Sequence, residues 1–380
     1  MGRILNSETT QYLGKKVKVA GWVNSRRDHG KLVFLDLRDR SGILQVVCAS
    51  DLVKTVKEEF VLEVEGALQK RPVAMVNPAL KTGDIELKAE RISVLAKADS
   101  LPFDLKDLKL SLPTLLDWRP LTLRNPKVGA IFKIQEQLLA SFRNTMASLG
   151  FVEFQAPVIV PSNAEGGAAV FPVKYYKYQA FLAQSPQLYN QIMLACFERV
   201  FAVNHVFRAE PSVTTRHLSE YTSLDAEMAF IDSWQDLMDV CETIVRDMFS
   251  SLEKKCEEEL KTLSATLPEV GKKIPRLKMR EAQKIIFERT ARDNRKEQDL
   301  TPEDEKEIRQ FSKEKYGSDL VFITHYPTKK RPFYTYADPE DPEYTLSFDL
   351  LLRGLEITTG GRRINEYDQL VKNIKKWGNR

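Results

Sequence analysis

The stretch Phe207-Arg208-Ala209-Glu210-Pro211-Ser212-Val213-Thr214-Thr215-Arg216-His217-Leu218 decides how this chain is read. It gathers two arginines, a glutamate and a histidine into one short segment, the inventory needed to grip a nucleoside triphosphate. The apolar run Val200-Phe201-Ala202-Val203 precedes it and predicts a strand; a second run, Leu224 to Ile231, follows with acidic residues interleaved. Strand, charged loop and antiparallel strand form a scaffold for holding a bent polyphosphate. The planar guanidinium of Arg208 can pair with phosphate oxygens two at a time, which an ammonium does less well. Phosphoryl and nucleotidyl transfer rest mainly on positioning and charge neutralisation, so arginines are the expected tools. The chain has no G-x-x-x-x-G-K-[ST] stretch, so a P-loop is not the phosphate holder. Taken alone, the segment is equally compatible with an ordinary charged surface loop.

Composition bounds the alternatives. The 380 residues predict two or three domains. An apolar content of 43% and a charged content of 29% are those of a globular protein in water. No apolar run approaches the roughly 20 residues that span a bilayer, and Met1 to Glu8 lacks a secretory pattern, which predicts a cytoplasmic protein with no membrane contact. Cysteines 48, 196, 241 and 256 have no CxxC spacing and predict thiols in a reducing compartment, not a disulfide framework or zinc site. A net charge of +4 permits a nucleic-acid partner without requiring one.

Upstream of the opening stretch the chain changes character twice. Residues 13 to 98 alternate with period two: Val17, Val19, Gly21 and Val23; Val33, Leu35 and Leu37; then Ile43 to Val47, Val61 to Gly66 and Ile85 to Leu87. About five short strands with a helix near Leu52 to Glu59 predict an N-terminal OB-type β-barrel over residues 1–98. Such barrels bind single strands on a face mixing aromatic and basic side chains. Residues 99–125, with Pro102, Pro113 and Pro120, predict a linker. Ile131, Ile134, Leu138, Phe142 and Met146 then form one stripe of an amphipathic helix ending at Gly150, before a strand from Phe151 to Phe154. Residues 234–260 and 280–315 predict charged helices, with a helix start at Thr301-Pro302-Glu303-Asp304 inside the second stretch, and a peripheral charged insertion is expected around 250–315. Leu320 to Thr324 predicts a return to strand.

Three blocks in order carry a family resemblance. The opening stretch resembles motif 2 of class II aminoacyl-tRNA synthetases. Glu165-Gly166-Gly167 with Phe181-Leu182-Ala183-Gln184-Ser185-Pro186-Gln187-Leu188-Tyr189, and Phe348-Asp349-Leu350 with Arg353 to Arg363, resemble the aspartyl members. With the barrel included, the resemblance covers nearly the whole chain. It implies an α+β fold: the OB-type barrel, then over residues 126–380 an antiparallel class II sheet flanked by helices. It implies activation of L-aspartate by ATP with Mg2+, followed by transfer to tRNA(Asp), with tRNA(Asn) as a second acceptor in view. It also implies a homodimer through the helix and strand of 126–157.

The resemblance extends residue by residue. Arg208 would contact the α-phosphate and the substrate carboxylate; Glu210 the adenine amino group; Arg216, His217 and Leu218 the outer phosphates or their surroundings; and Tyr221 would stack on adenine. Asp349 and Glu356 would hold Mg2+. Arg363 would grip the aspartate side chain, with Glu165, Gln184, Ser185, Gln187, Asn190, Asp225 and Thr359 around the remaining polar groups. In the barrel, Phe34 would stack an anticodon base, Gln45 would read a base edge, Arg26 and Arg27 would meet phosphates, and His29 would contact RNA or pack.

Departures from the family pattern leave alternatives open. Asn190 stands where the family has lysine, Thr359 where serine is usual, and Asn365 where histidine is usual. The chain stops at Trp377-Gly378-Asn379-Arg380, before the glycine-rich motif 3 with its ATP-gripping arginine, so that region is expected to be absent. An asparagine–tRNA ligase, a non-catalytic tRNA-binding paralogue and a free-standing amide-forming enzyme are the competing readings.

Overall fold

The computed structural model describes residues 2–106, 109–162, 170–209 and 218–378. The chain divides into two compact units, Met1–Leu115 and Leu116–Arg380.

In the first unit, strands β1 (Lys16–His29), β2 (Leu32–Asp39), β3 (Gly42–Ala49), β4 (Val61–Lys70) and β5 (Ile85–Ala96) close into a barrel of order β1-β2-β3-β5-β4. Period two produces this result directly, because alternate residues of a strand face opposite sides. Val19, Val23, Val33, Leu35, Leu37, Leu62 and Val64 point inward and are wholly buried, while the residues between them face out. The helix expected near Leu52 to Glu59 is not there. A 3-10 turn, Ser50–Val53, takes its place, and Val53, Val56 and Phe60 drop into the barrel core.

The second unit starts with short helices α1 (Leu112–Asp117) and α2 (Arg119–Thr122), then the long helix α3 (Pro126–Ser148). Asn125 caps α3 by accepting from Lys127 N at 2.9 Å, Pro126 fits its first turn, and Gly150 turns the chain at a φ of +78°. The expected strand beyond it shrinks to β6 (Val152–Glu153), which pairs parallel with β10 (Arg199–Phe207); β10 runs antiparallel to β11 (Glu220–Met228). Phe142, Met146, Phe151 and Phe201 seal this layer. Between β6 and β10 lie β7 (Ile159–Val160), β8 (Pro172–Tyr175), β9 (Tyr178–Leu182) and helix α4 (Gln187–Phe197).

Helices α5 (Asp236–Lys255) and α6 (Glu257–Leu263) lead to a four-stranded sheet of order β12-β13-β14-β15, formed by β12 (Arg276–Lys278), β13 (Leu320–Thr324), β14 (Ser347–Leu352) and β15 (Leu355–Gly361). Helices α7 (Met279–Thr290) and α8 (Pro302–Tyr316) connect β12 to β13, and α9 (Tyr367–Gly378) closes the described chain. Thr301 caps α8 through the expected box with Asp304. The charged segment is not a solvated appendage. Met279, Ala282, Ile286 and Ile308 are buried against Val321, Ile323 and Leu351 and cover one face of the sheet. Most of its charge lies on the outer stripe, although Asp304 and Glu305 at the start of α8 are buried, and the spacing of its few apolar residues ties it to the core. The opposite face is covered by Met238 and Val245 of α5 against Phe322, Phe348 and Leu350. Among the described residues no helix is long and apolar enough to cross a membrane.

Candidate active site and anticodon-type face

The loop that opens the sequence analysis begins and ends in the structure as predicted: β10 and β11 pair from Arg199↔Met228 to Phe207↔Glu220. Arg208 follows at the strand end, exposed, its backbone N–H donating to Ser219 O at 3.0 Å and its guanidinium 5.7 Å from the Tyr221 ring. The phosphate candidate and the adenine-stacking candidate are thus adjacent. Leu218 is 59% exposed. Glu210, Arg216 and His217, together with Glu165, lie outside the described residues.

A second group of side chains converges from three distant segments. Arg363 donates from Nη2 to Gln187 Oε1 at 2.8 Å, and Gln187 donates from Nε2 to Glu227 Oε2 at 2.8 Å. Arg363 Nε is shut off from water and has no hydrogen-bond partner. Ser185 Oγ accepts from Gln187 N at 3.3 Å at the start of α4. That helix is buried by its polar residues: Gln187 and Asn190 point inward, whereas Leu188 and Ile192 are 39% and 65% exposed. Asn190, 3% exposed, keeps Oδ1 without a partner. Gln184 is buried, and Asp225 is half-buried two residues before Glu227 on β11. Burial pushes the Glu227 carboxyl up to about 7; Arg363 and the Gln187 hydrogen bond pull it down, and Asp225 adds to the rise.

The third group sits on the β14–β15 hairpin. Asp349 pairs with Thr359 across the ladder and Leu351 with Glu356; an irregularity between Leu350 and Leu351 adjusts the register. Arg331, from the connection between β13 and β14, donates from Nη2 to Asp349 Oδ1 at 2.7 Å and from Nη1 to Thr359 Oγ1 at 3.0 Å, and it lies 4.0 Å over the Tyr326 ring. Glu356 is exposed on β15, with its carboxyl partly shielded by neighbouring groups. Desolvation there and the charge of Asp349 push its carboxyl up to about 7 against the pull of Arg331. Two hard-oxygen donors that repel each other suit a divalent cation sharing its remaining sites with phosphate oxygens and water. No larger cluster of His, Cys, Asp or Glu with metal-holding geometry occurs among the described residues.

The barrel candidates divide. Phe34 is half-buried on the outer face, with His29 edge-on at 5.3 Å and exposed. Gln45, 6% exposed, donates to Glu86 Oε2 at 2.8 Å. Arg27 forms a forked pair with Asp36 at 2.9 and 3.0 Å and reaches Gln45 Oε1 at 3.3 Å. Arg26 does not fit the phosphate role expected of it. Its guanidinium turns inward to Val53 O and Val56 O, both at 2.6 Å, and to both oxygens of Asp28. There it ties down the turn that replaced the expected helix.

Arg331, Glu227 and Tyr334 were missed in the sequence. A weak signal existed for Glu227, which shares a strand face with Asp225 two residues away. Arg331 looked like the end of an exposed basic run, Lys329-Lys330-Arg331, and only the fold brings it to Asp349.

Comparison with known proteins agrees with this geometry. Residues 111–380 match the family of class II tRNA synthetases (D, K and N), and residues 17–95 match the OB-fold nucleic acid binding domain. The chain is 40% identical to the aspartate–tRNA(Asp/Asn) ligase of Thermus thermophilus over 99% of its own length and 87% of that protein's. It is 38% identical to the aspartate–tRNA(Asp) ligase of Pyrococcus horikoshii over 98% and 86% of the two lengths. Among solved structures, the aspartyl-tRNA synthetase of Entamoeba histolytica superposes with a TM-score of 0.85 at 28% identity, covering 100% of this chain and 82% of that one. The asparaginyl-tRNA synthetase of Pyrococcus horikoshii with asparaginyl-adenylate superposes equally well, at 0.85 and 31% identity, covering 97% and 85%. A matched synthetase family over most of the chain, an OB-fold barrel ahead of it and relatives similar over most of their length together make this chain a member of the class II tRNA synthetases of the D, K and N group.

Proposed function

We propose that the chain is an aspartate–tRNA ligase: it joins L-aspartate to ATP, releasing pyrophosphate, and passes the aspartyl group to the 3′ end of tRNA(Asp). The observation that carries the reading is the guanidinium of Arg363, held by Gln187 with its Nε out of water and unpartnered. A buried N–H donor without a partner is costly, and a short carboxylate side chain is the ligand that removes the cost. Glu227, Asp225 and Gln184 offer acceptors of the kind a substrate ammonium requires.

Arg208 at the end of β10 is the residue for the α-phosphate, and Tyr221 beside it provides a face for the adenine. Glu210, Arg216 and His217 keep the roles expected of them around ATP, and Glu165 its role near the substrate ammonium. The substrate carboxylate is already ionised at neutral pH, so the first step needs alignment and charge compensation, not a general base. Asp349 and Glu356 are the residues that would hold Mg2+, which when bound supplies positive charge to the phosphate oxygens. Phe34, Gln45 and Arg27 form the base-reading face of the barrel; Arg27 reaches RNA by leaving Asp36.

Exposed apolar residues on α3 and β6, with Ile131 51%, Phe132 44% and Val152 40% exposed, support a homodimer through 126–157. Four free cysteines suit the reducing cytoplasm. Charging of tRNA(Asn) as well is the wider form of the same activity, and it is part of the name of the Thermus thermophilus relative.

The test is amino-acid-dependent ATP–pyrophosphate exchange with aspartate and asparagine, with Arg208→Ala as control. Exchange with aspartate that the control abolishes supports the reading; none from folded protein sinks it. One observation favours a second reading, an asparagine–tRNA ligase. The unpaired Oδ1 of Asn190 would accept from a substrate amide, and preference for asparagine in the same assay would establish that reading.

A further inference from the structure

Resting on the aspartate reading above, we propose that Tyr334 is a positioning residue that fixes the plane of Arg363 and thereby sets the discrimination between a carboxylate and an amide in the substrate pocket. The Arg363 guanidinium lies 4.8 Å from the Tyr334 ring centre, and Tyr334 is only 4% exposed. The backbone enforces the pairing. Ile364 N donates to Tyr334 O at 2.8 Å, and Thr335 and Arg363 form an antiparallel bridge, so the ring is locked in register beneath the guanidinium.

A ring face attracts a cation without consuming its N–H groups, all of which lie in the guanidinium plane. One face of Arg363 is therefore occupied while its in-plane donors stay available. Nη2 meets Gln187, Nη1 meets Gly361 O at 3.3 Å, and Nε meets nothing. A fork presented in a fixed plane rewards a planar carboxylate that accepts along two parallel N–H directions. An amide offers one acceptor and one donor, and the donor is repelled. A guanidinium free to rotate would bend away from the amide and lose that discrimination.

The same segment uses this arrangement repeatedly. Arg331 lies 4.0 Å over Tyr326, and Arg362 lies 4.0 Å over Tyr336. Three tyrosines between positions 326 and 336 thus each hold one arginine of the site region.

The experiment compares Tyr334→Phe and Tyr334→Leu with the unaltered full chain, using ATP–pyrophosphate exchange with aspartate and asparagine, calorimetric binding of L-aspartate, and thermal melting. Tyr334→Phe retains the ring and is expected to keep all values within about threefold, while Tyr334→Leu raises the KM and Kd for aspartate about tenfold and narrows the aspartate-to-asparagine ratio, with the KM for ATP unmoved. A folded Tyr334→Leu protein with unchanged aspartate affinity and ratio overturns the proposal. So does a parallel rise in the KM for ATP, which would mark a merely structural ring, or an equal loss in Tyr334→Phe, which would assign the effect to the hydroxyl. An unaltered chain that neither binds nor activates aspartate overturns the reading beneath it, an outcome separate from the first because it precedes any substitution.

Discussion

Arg331 and Asp349 form a close charge pair at 2.7 Å, with side chains only 15% and 7% exposed. Asp349 lies on β14 and Arg331 on the connection that precedes it, and neither has enough water around it to stand alone. Removing one partner of such a pair leaves an uncompensated buried charge. Arg331→Met is therefore expected to destabilise the fold by about 3–5 kcal/mol, and the double variant Arg331→Met/Asp349→Leu to recover much of that loss. Urea unfolding of the two proteins checks it; equal stability of the single variant and the unaltered chain would show the pair to be dispensable.

Glu227 carries a pH signature. Its carboxyl titrates near 7 in the fold, driven up mainly by burial, whereas an unfolded glutamate titrates near about 4.3. The folded chain therefore holds an extra proton between those values. The contribution of this group is fully present below the lower one and is lost as pH rises through the upper one. Glu227→Gln should flatten that decline, so that its stability gains on the unaltered protein between pH 5 and pH 8, the two pH slopes differing by at most the equivalent of about one proton. Parallel melting curves across this range would refute the assignment.

Phe34 offers a way to separate RNA reading from amino-acid activation. Its ring is half-buried on the outer face of β2 and braced by His29 at 5.3 Å. Loss of one stacked base costs about 1–3 kcal/mol, so Phe34→Ala should lower kcat/KM for tRNA by about five- to 150-fold. Pyrophosphate exchange without tRNA should stay as it was. A fall in both activities together would place Phe34 in the barrel core instead.

The apolar residues on α3 supply a fourth test. Ile131→Glu with Phe132→Glu puts two carboxylates where burial against a second copy is proposed. Sedimentation should show the mass fall from dimer to monomer; an unchanged mass would locate the interface elsewhere.

Much of the architecture was legible because local patterning and tertiary demand coincide. Val17 to Val23 alternate and face the barrel core, Thr301-Pro302 opens a helix, and β10 and β11 flank the motif that announced them. Misreadings arose where a residue's partner lies far along the chain. Arg26 looked like a phosphate ligand because its acceptors, the carbonyls of Val53 and Val56, are backbone groups that no side-chain pattern reveals. The helices at 279–316 looked peripheral because charge dominates their composition, although Met279, Ala282, Ile286 and Ile308 anchor them to the sheet. Arg331 and Glu227 became visible only when sheet pairing brought Asp349 and Gln187 to them.

The hydrogen-bond chain from Arg363 through Gln187 to Glu227 has a direction. Each link donates the same way, and an ionised Glu227, able only to accept, forces the Gln187 amide to show its oxygen to Arg363. The glutamine is thus a one-way element whose orientation is dictated from both ends, since Arg363 can only donate and needs the amide oxygen whatever the charge on Glu227. Selectivity in this pocket is therefore stored not only in which groups are present but in the sense in which they point.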